Sequence, residues 1–211
     1  MNVSRKNIID DELEKTFFRQ GYKYVIGVDE VGRGSWAGPV VVGAFVYEGH
    51  HEYIPHVKDS KMLTRKRREG LYPDLTQHLF SIGLVESQDI DEINILEATK
   101  CAIDIAVKNL DISDAFFLID GSFPKPFSFD HICITNGDEK HYSIAAASIV
   151  AKVFRDRMME EYNILFPQYG FANNVGYGTS QHHAALKKHG VCALHRRSYK
   201  PIKRLIERNG S

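Results

Sequence analysis

Two strongly apolar runs stand close together early in the chain, Val25–Val28 and Val40–Val46. Between them lies DEVGRGSWAGP, two acids and an arginine set among glycines and a proline. Short β-branched runs punctuated by Gly and Pro predict buried strands joined by a turn, with Asp29 and Glu30 where the first strand ends. Alternation over Ser81–Ser87 predicts a third strand. Ala115–Ile119 has no polar residue and predicts a strand covered on both faces. A short strand follows over Ile132–Thr135. Helical periodicity and caps predict helices from Asp10 or Asp11 to Gln20, and from Arg65 to Phe80 behind Thr64, with an interruption at Pro73. One or two amphipathic helices span Asp89–Leu110, with Ile93, Leu96, Cys101, Ile105 and Leu110 as core contacts. A long alanine-rich helix covers Tyr142–Leu165, and a last one runs from Thr179 or Ser180 to His189. His50–Asp59, Phe123–Phe129 and Phe171–Thr179 read as loops. Strands first, then helices alternating with strands, predict an α/β fold, a mixed sheet flanked by helices.

The 211 residues suit one sizeable domain, and no repeat or linker divides them. The chain starts without a secretory apolar region, and no run is long enough to cross a bilayer. Cys101, Cys133 and Cys192 lie far apart with no C-x-x-C spacing, which excludes a disulfide framework and a thiolate zinc site and points to a reducing cytoplasm. Net charge is zero, but its distribution is uneven. Val85–Asp114 carries eight acids against Lys100 and Lys108, while the tail from Leu186 carries eight Lys or Arg against Glu207. With Arg65-Lys66-Arg67-Arg68, this is either the footprint of a polyanion partner or a solvated helix face and tail.

Val25–Val28 and Ala115–Ile119 each run straight into an aspartate. Parallel neighbours lie about 4.8 Å apart, so Asp29 and Asp120 would come within reach of one ion at the carboxyl ends of their strands. Glu30 joins them only if the chain bends, since successive strand side chains point to opposite faces. Ser148, Lys152 and Asp156 share one face of the long helix. Asp156 then has two readings, a third acid of the site or a surface partner of Lys152. Clustered carboxylates hold protons unless a cation neutralises them, and oxygen ligands favour Mg²⁺ or Mn²⁺. His50-His51 and His182-His183 lack zinc-ligand spacing, and there is no Gly-x-Ser-x-Gly elbow or P-loop. The chemistry expected is metal-assisted phosphoryl transfer beside basic surface.

GVDEVGRGSWAGP resembles the signature of the type 2 ribonucleases H, ribonuclease HII. DSKMLT, INILEAT, FFLIDGS, AAASIVAKVFRD, GYGT and HRRSYKP fall in that family's order, covering nearly the whole chain from Leu13 to Pro201. The resemblance implies a ribonuclease-H-like fold over residues 1–211, with residues from about 166 to 211 as a helical extension walling the substrate groove. It implies Asp29, Glu30, Asp120 and Asp156 as metal-binding acids, resolving Asp156 in favour of the site. It also implies two-metal cleavage of RNA in RNA–DNA hybrids and incision 5′ of ribonucleotides embedded in duplex DNA, giving a 3′-hydroxyl and a 5′-phosphate. Gly32-Arg33-Gly34 matches the element that contacts the ribose 2′-hydroxyl, Tyr177 the aromatic that stacks on the junction sugar, and Lys61 a phosphate contact. Ser148 and Lys152 remain further candidates. Ser35-Trp36, Met62 and Cys192-Ala193 depart from the family pattern. No sliding-clamp peptide is evident in the tail, and a monomer is expected. The rival readings are ribonuclease HIII, a paired-carboxylate glycosidase and an inert nucleic-acid-binding module.

Overall fold

Five strands carry the apolar runs: β1 (Tyr24–Val31), β2 (Val40–Tyr47), β3 (Phe80–Val85), β4 (Ala115–Asp120) and β5 (His131–Ile134), in the order β3-β2-β1-β4-β5. The computed structural model describes residues 9–49, 54–124 and 126–209, so the chain's start and the His50-His51 pair lie outside the described residues. The chain packs as two compact units, one taking in residues up to 30, 42–83 and 103–153, the other 31–41, 84–102 and 154–211.

In the first unit β4 runs parallel to both β1 and β5. Tyr24 pairs with Ala115, and the register runs on to Val28 beside Ile119. β1 continues to Val31, so Asp29 and Glu30 sit inside the strand rather than at its end. Turn chemistry begins only at Gly32, whose φ of 92° ends the extended run. Helix α4 (Tyr142–Leu165) is as predicted, and its first three turns lie directly on the strands. A Cβ on Gly27 would fall 2.0 Å from the Ser143 carbonyl carbon, and one on Gly43 2.7 Å from the Ala147 oxygen. Glycine facing alanine is what lets helix and sheet approach this closely. Ile149 and Val150 of α4 are fully buried with Phe45 and Leu75, and full burial of such side chains contributes about 1.5–3 kcal/mol each.

Helix α1 (Glu12–Arg19) is preceded by Asp11, which makes no side-chain capping bond. Its carboxylate is engaged instead by the Tyr47 hydroxyl and Lys15. Glu14 is fully buried. Its Oε1 accepts from the Ser143 amide (2.9 Å) and hydroxyl (2.8 Å) at the start of α4. Its Oε2 has no hydrogen-bond partner among the described residues. Burial raises the Glu14 carboxyl above its ordinary value, against the lowering effect of the Ser143 bonds. The folded state therefore keeps a proton that the unfolded chain releases, and stability falls as pH rises between the ordinary and the raised value. Glu14→Gln should remove that dependence. Its melting temperature relative to wild type is expected to climb from pH 4 to pH 8. A constant difference across that range would refute the assignment.

Helix α2 (Arg65–Leu75) begins as predicted, with Thr64 Oγ1 accepting from the Arg67 amide. It stops at Leu75 instead of Phe80 and keeps Pro73 inside. The Leu79 carbonyl accepts from Val46, which draws Phe80 into β3. Ser87 opens helix α3 (Ser87–Leu110) instead of closing β3. Asn94, with φ 68°, breaks α3, and its Oδ1 caps the second half through the Leu96 and Glu97 amides. The break shifts the helical phase. Ile90, Ala98, Ala102 and Ala106 are buried, whereas Ile93, Cys101 and Ile105 are exposed; of the predicted contacts Leu110 is buried and Leu96 half-buried.

In the second unit α4 continues beyond Val153, joined by α5 (Phe171–Asn174), α6 (Ser180–His189) and α7 (Lys200–Asn209). Met159, Tyr169, Phe171, Leu186 and Ile202 form its core. The stretch from Phe171 to Thr179 is not all loop, because its apolar first residue is buried as the turn α5. Thr179 caps α6 as expected. Asp91, from the acidic segment, accepts from the Arg197 and Ser198 amides and fixes the turn before α7. No helix of the described residues is long and apolar enough to cross a membrane.

Candidate active site

The paired register of β1 and β4 stops at Val28 and Ile119, and the acids come immediately after it. Asp29, Glu30 and Asp120 offer carboxylate oxygens that all lie within 4.8 Å of one another. Glu30 joins despite strand alternation. Asp29 turns back so that its Oδ1 accepts from the Glu30 amide at 2.7 Å. Asp29 is almost wholly buried. Burial, then the charges of Glu30 and Asp120, push its carboxyl well up, and a hydrogen bond from Ser148 opposes them. Ser148 in turn bonds the Ser60 hydroxyl at 2.8 Å. Burial also raises Asp120, while the Gly137 amide, 2.7 Å from its Oδ1, lowers it. Three carboxylates that cannot all ionise cheaply in isolation fit a hard divalent cation, which removes both the repulsion and the desolvation cost.

A further buried acid acts on the cluster and was not singled out in the sequence. Asp138 lies in the single turn Gly137–Glu139 between β5 and α4, and it is 2% exposed. Its charge acts on both Asp29 and Asp120. Lys61 Nζ meets Asp138 Oδ2 at 3.0 Å, although the lysine side chain is 74% exposed. Burial pulls the Lys61 ammonium down, but Asp138, with Asp29 and Asp59, more than offsets it and leaves it raised. The signal was an acid directly after Asn136-Gly137, with Asn136 at φ 55°. In sequence that triplet looks like any polar turn.

Asp156 is nearly buried and lies in the second unit. Its immediate neighbour Arg155 is fully buried there, and the Asp156 charge acts on it. Lys152, at the first unit's end of α4, is half-buried.

The Gly32-Arg33-Gly34 loop and Tyr177 both lie in the second unit. The loop is braced rather than slack. The Arg155 guanidinium donates to the carbonyls of Pro39 (2.9 Å), Val175 (2.9 Å) and Ala37 (3.2 Å) and to Ser35 Oγ (2.8 Å). Burial pushes Arg155 down to about 10. A Cβ on Gly32 would lie 2.3 Å from Arg155 Nε, so that position needs glycine for space as well as for φ. The Arg33 carbonyl accepts from Arg196 Nη1 and from the Tyr199 hydroxyl. Arg196 is therefore a buried strut, not a surface charge of the basic tail. Tyr177 is 37% exposed, and its ring edge would be 3.8 Å from a Cβ on Gly34. Trp36 packs flat against Gly178, where no Cβ fits, which accounts for that bulky residue in the loop.

Residues 26–202 match the family model of ribonuclease HII. The chain is 44% identical over 192 residues to the ribonuclease HII of Listeria innocua, covering 90% of this chain and 73% of that one. It superposes on the ribonuclease H2 of Pyrococcus horikoshii with a TM-score of 0.72 at 31% identity, over 88% of this chain and 98% of the other. The ribonuclease HII of Archaeoglobus fulgidus, solved as a complex with PCNA, gives 0.70 at 25% identity, over 84% and 95%. With the acids gathered just past the paired register of β1 and β4, this likeness along almost the whole chain places the protein in the ribonuclease HII family, as a ribonuclease H endonuclease.

Proposed function

We propose that this endonuclease hydrolyses RNA in RNA–DNA hybrids and incises duplex DNA on the 5′ side of an embedded ribonucleotide, leaving a 3′-hydroxyl and a 5′-phosphate. The observation that carries the proposal is the group formed by Asp29, Glu30 and Asp120 within 4.8 Å. These acids would hold Mg²⁺ or Mn²⁺, which supplies activation of water and stabilisation of the leaving 3′ oxygen. Asp156 is the fourth metal-binding acid of this reading, and Asp138, buried and with its charge acting on Asp29 and Asp120, adds to the negative field of the site. Lys61, held by Asp138, positions a phosphate. Ser148 steadies Asp29, and Lys152 offers a further positive charge to the scissile phosphate.

Recognition of the sugar falls to the second unit. The glycines of Gly32-Arg33-Gly34 allow close backbone approach to the ribose 2′-hydroxyl, and Tyr177 stacks on the sugar at the RNA–DNA junction. The helical segment from about residue 166 forms one wall of the groove. Its exposed Lys187, Lys188, Lys200 and Lys203 suit a polyanion, as do Arg65, Lys66 and Arg67 of the first unit. The protein would act in the cytoplasm, and the proposal includes no clamp partner.

The test is a duplex carrying one ribonucleotide, incubated with Mg²⁺ and with chelator. A single metal-dependent cut 5′ of the ribonucleotide is expected. Cleavage confined to longer RNA tracts would transfer the assignment to a ribonuclease HIII-like specificity.

A further inference from the structure

Two buried histidines in the second unit have no part in the chemistry above. His182, on α6, is fully buried, and His195, just before Arg196, is 2% exposed. Their Nε2 atoms are 3.0 Å apart. Two imidazole nitrogens at that distance share one proton, so one must donate and the other accept. The surroundings decide which. The Cys192 backbone amide, which can only donate, points at His195 Nδ1 at 2.9 Å. His195 Nδ1 is therefore the acceptor, and its proton is on Nε2, facing His182. His182 Nε2 accepts it, so the His182 proton is on Nδ1, which lies 3.0 Å from the Tyr177 carbonyl oxygen. A carbonyl can only accept, and the chain of bonds is closed at both ends by the backbone. Burial lowers both imidazoles, His195 to about 4, with His182 adding to the effect, which keeps both rings neutral as this arrangement requires.

The relay ends on the one residue of the loop whose ring is offered to solvent. The Tyr177 amide donates to the Asn174 carbonyl at 2.8 Å, and its carbonyl accepts from Thr179 at 2.8 Å as well as from His182. The peptide is clamped on both sides while the ring stands 37% exposed. Val175 at φ 42° and Gly176 at φ 85° precede it, a tight left-handed pair that would let the peptide tilt if the clamp were lost.

Resting on the proposed reading of Tyr177 as the junction-stacking residue, we infer that His182 and His195 are positioning residues that fix the tilt of the Tyr177 ring and so set discrimination for the ribose–deoxyribose junction. His195→Phe keeps the ring volume and removes the Nε2 donor. In Mg²⁺ with the single-ribonucleotide duplex, KM is expected to rise roughly tenfold, the effect of one lost hydrogen bond, with kcat within about twofold. kcat/KM on a continuous RNA–DNA hybrid should fall less. His195→Gln, whose amide can donate to His182, should restore most of the loss. Tyr177→Ala should produce the same shift, and Tyr177→Ala/His195→Phe no further one, because both act through one ring. An unchanged KM for His195→Phe, or additive losses in the double variant, overturns the inference while leaving the endonuclease assignment intact. A wild-type protein that fails to cut the single-ribonucleotide duplex overturns both. Independently of any variant, imidazole ¹⁵N shifts of the wild-type protein should report His182 protonated at Nδ1 and His195 at Nε2, and the opposite tautomers would refute the relay.

Discussion

Asp120→Asn is expected to lower Mg²⁺-dependent cleavage by roughly a thousandfold or more, with no loss of folding. The asparagine Oδ1 can still accept from the Gly137 amide, so the turn that carries Asp138 keeps its anchor. What disappears is a charge that shares a small space with Asp29 and Glu30. Removing it relieves repulsion in the metal-free protein, and thermal unfolding in chelator should therefore occur at or above the wild-type temperature. A variant that unfolds early would make Asp120 a structural residue. Retained turnover in Mg²⁺ would remove it from the reaction altogether.

The second large effect concerns two further acids, Asp138 and Asp156. Asp138→Asn should reduce cleavage by about a hundredfold and weaken Mn²⁺ binding measured directly, because it takes away a buried charge acting on two of the three clustered acids. It also takes the opposing charge from Lys61 Nζ, 3.0 Å away. Asp156→Asn, at the fourth metal-binding position, should lower cleavage by at least as much and weaken Mn²⁺ binding. Full cleavage and unchanged Mn²⁺ affinity in Asp156→Asn would remove that acid from the metal site.

These two acids differ in how visible they are in the sequence. Asp156 stands in a long, distinctive helix, where family likeness is easy to see. Asp138 stands in a three-residue turn with no periodicity and no apolar neighbours to mark it. The helix phase in α3 failed for a related reason. A single Asn with positive φ restarts the count, and no spacing rule registers that until the backbone is seen.

Arg155 and Arg196 make the same point for charge. In a tally they add to a basic surface. In the folded protein both are buried and spend their donors on carbonyls of the Gly32–Pro39 loop and its neighbours and on the Tyr199 hydroxyl. A guanidinium has several fixed donors, and a loop of glycines presents several unpaired carbonyls, so the two satisfy each other where helix and sheet hydrogen bonds cannot.

The amino-acid sequence by itself determined the mixed α/β architecture, the apolar runs of β1 and β4 that each lead into an aspartate, and the long alanine-rich helix. Those follow from local periodicity and from strand spacing, which any chain with this pattern must obey. Only the tertiary structure decided that Glu30 shares the cluster, that Asp138 faces it, and that two histidines close a relay onto Tyr177. Each of those depends on side chains far apart in sequence meeting in a buried space, where unsatisfied charge and unpaired donors are too costly to leave alone.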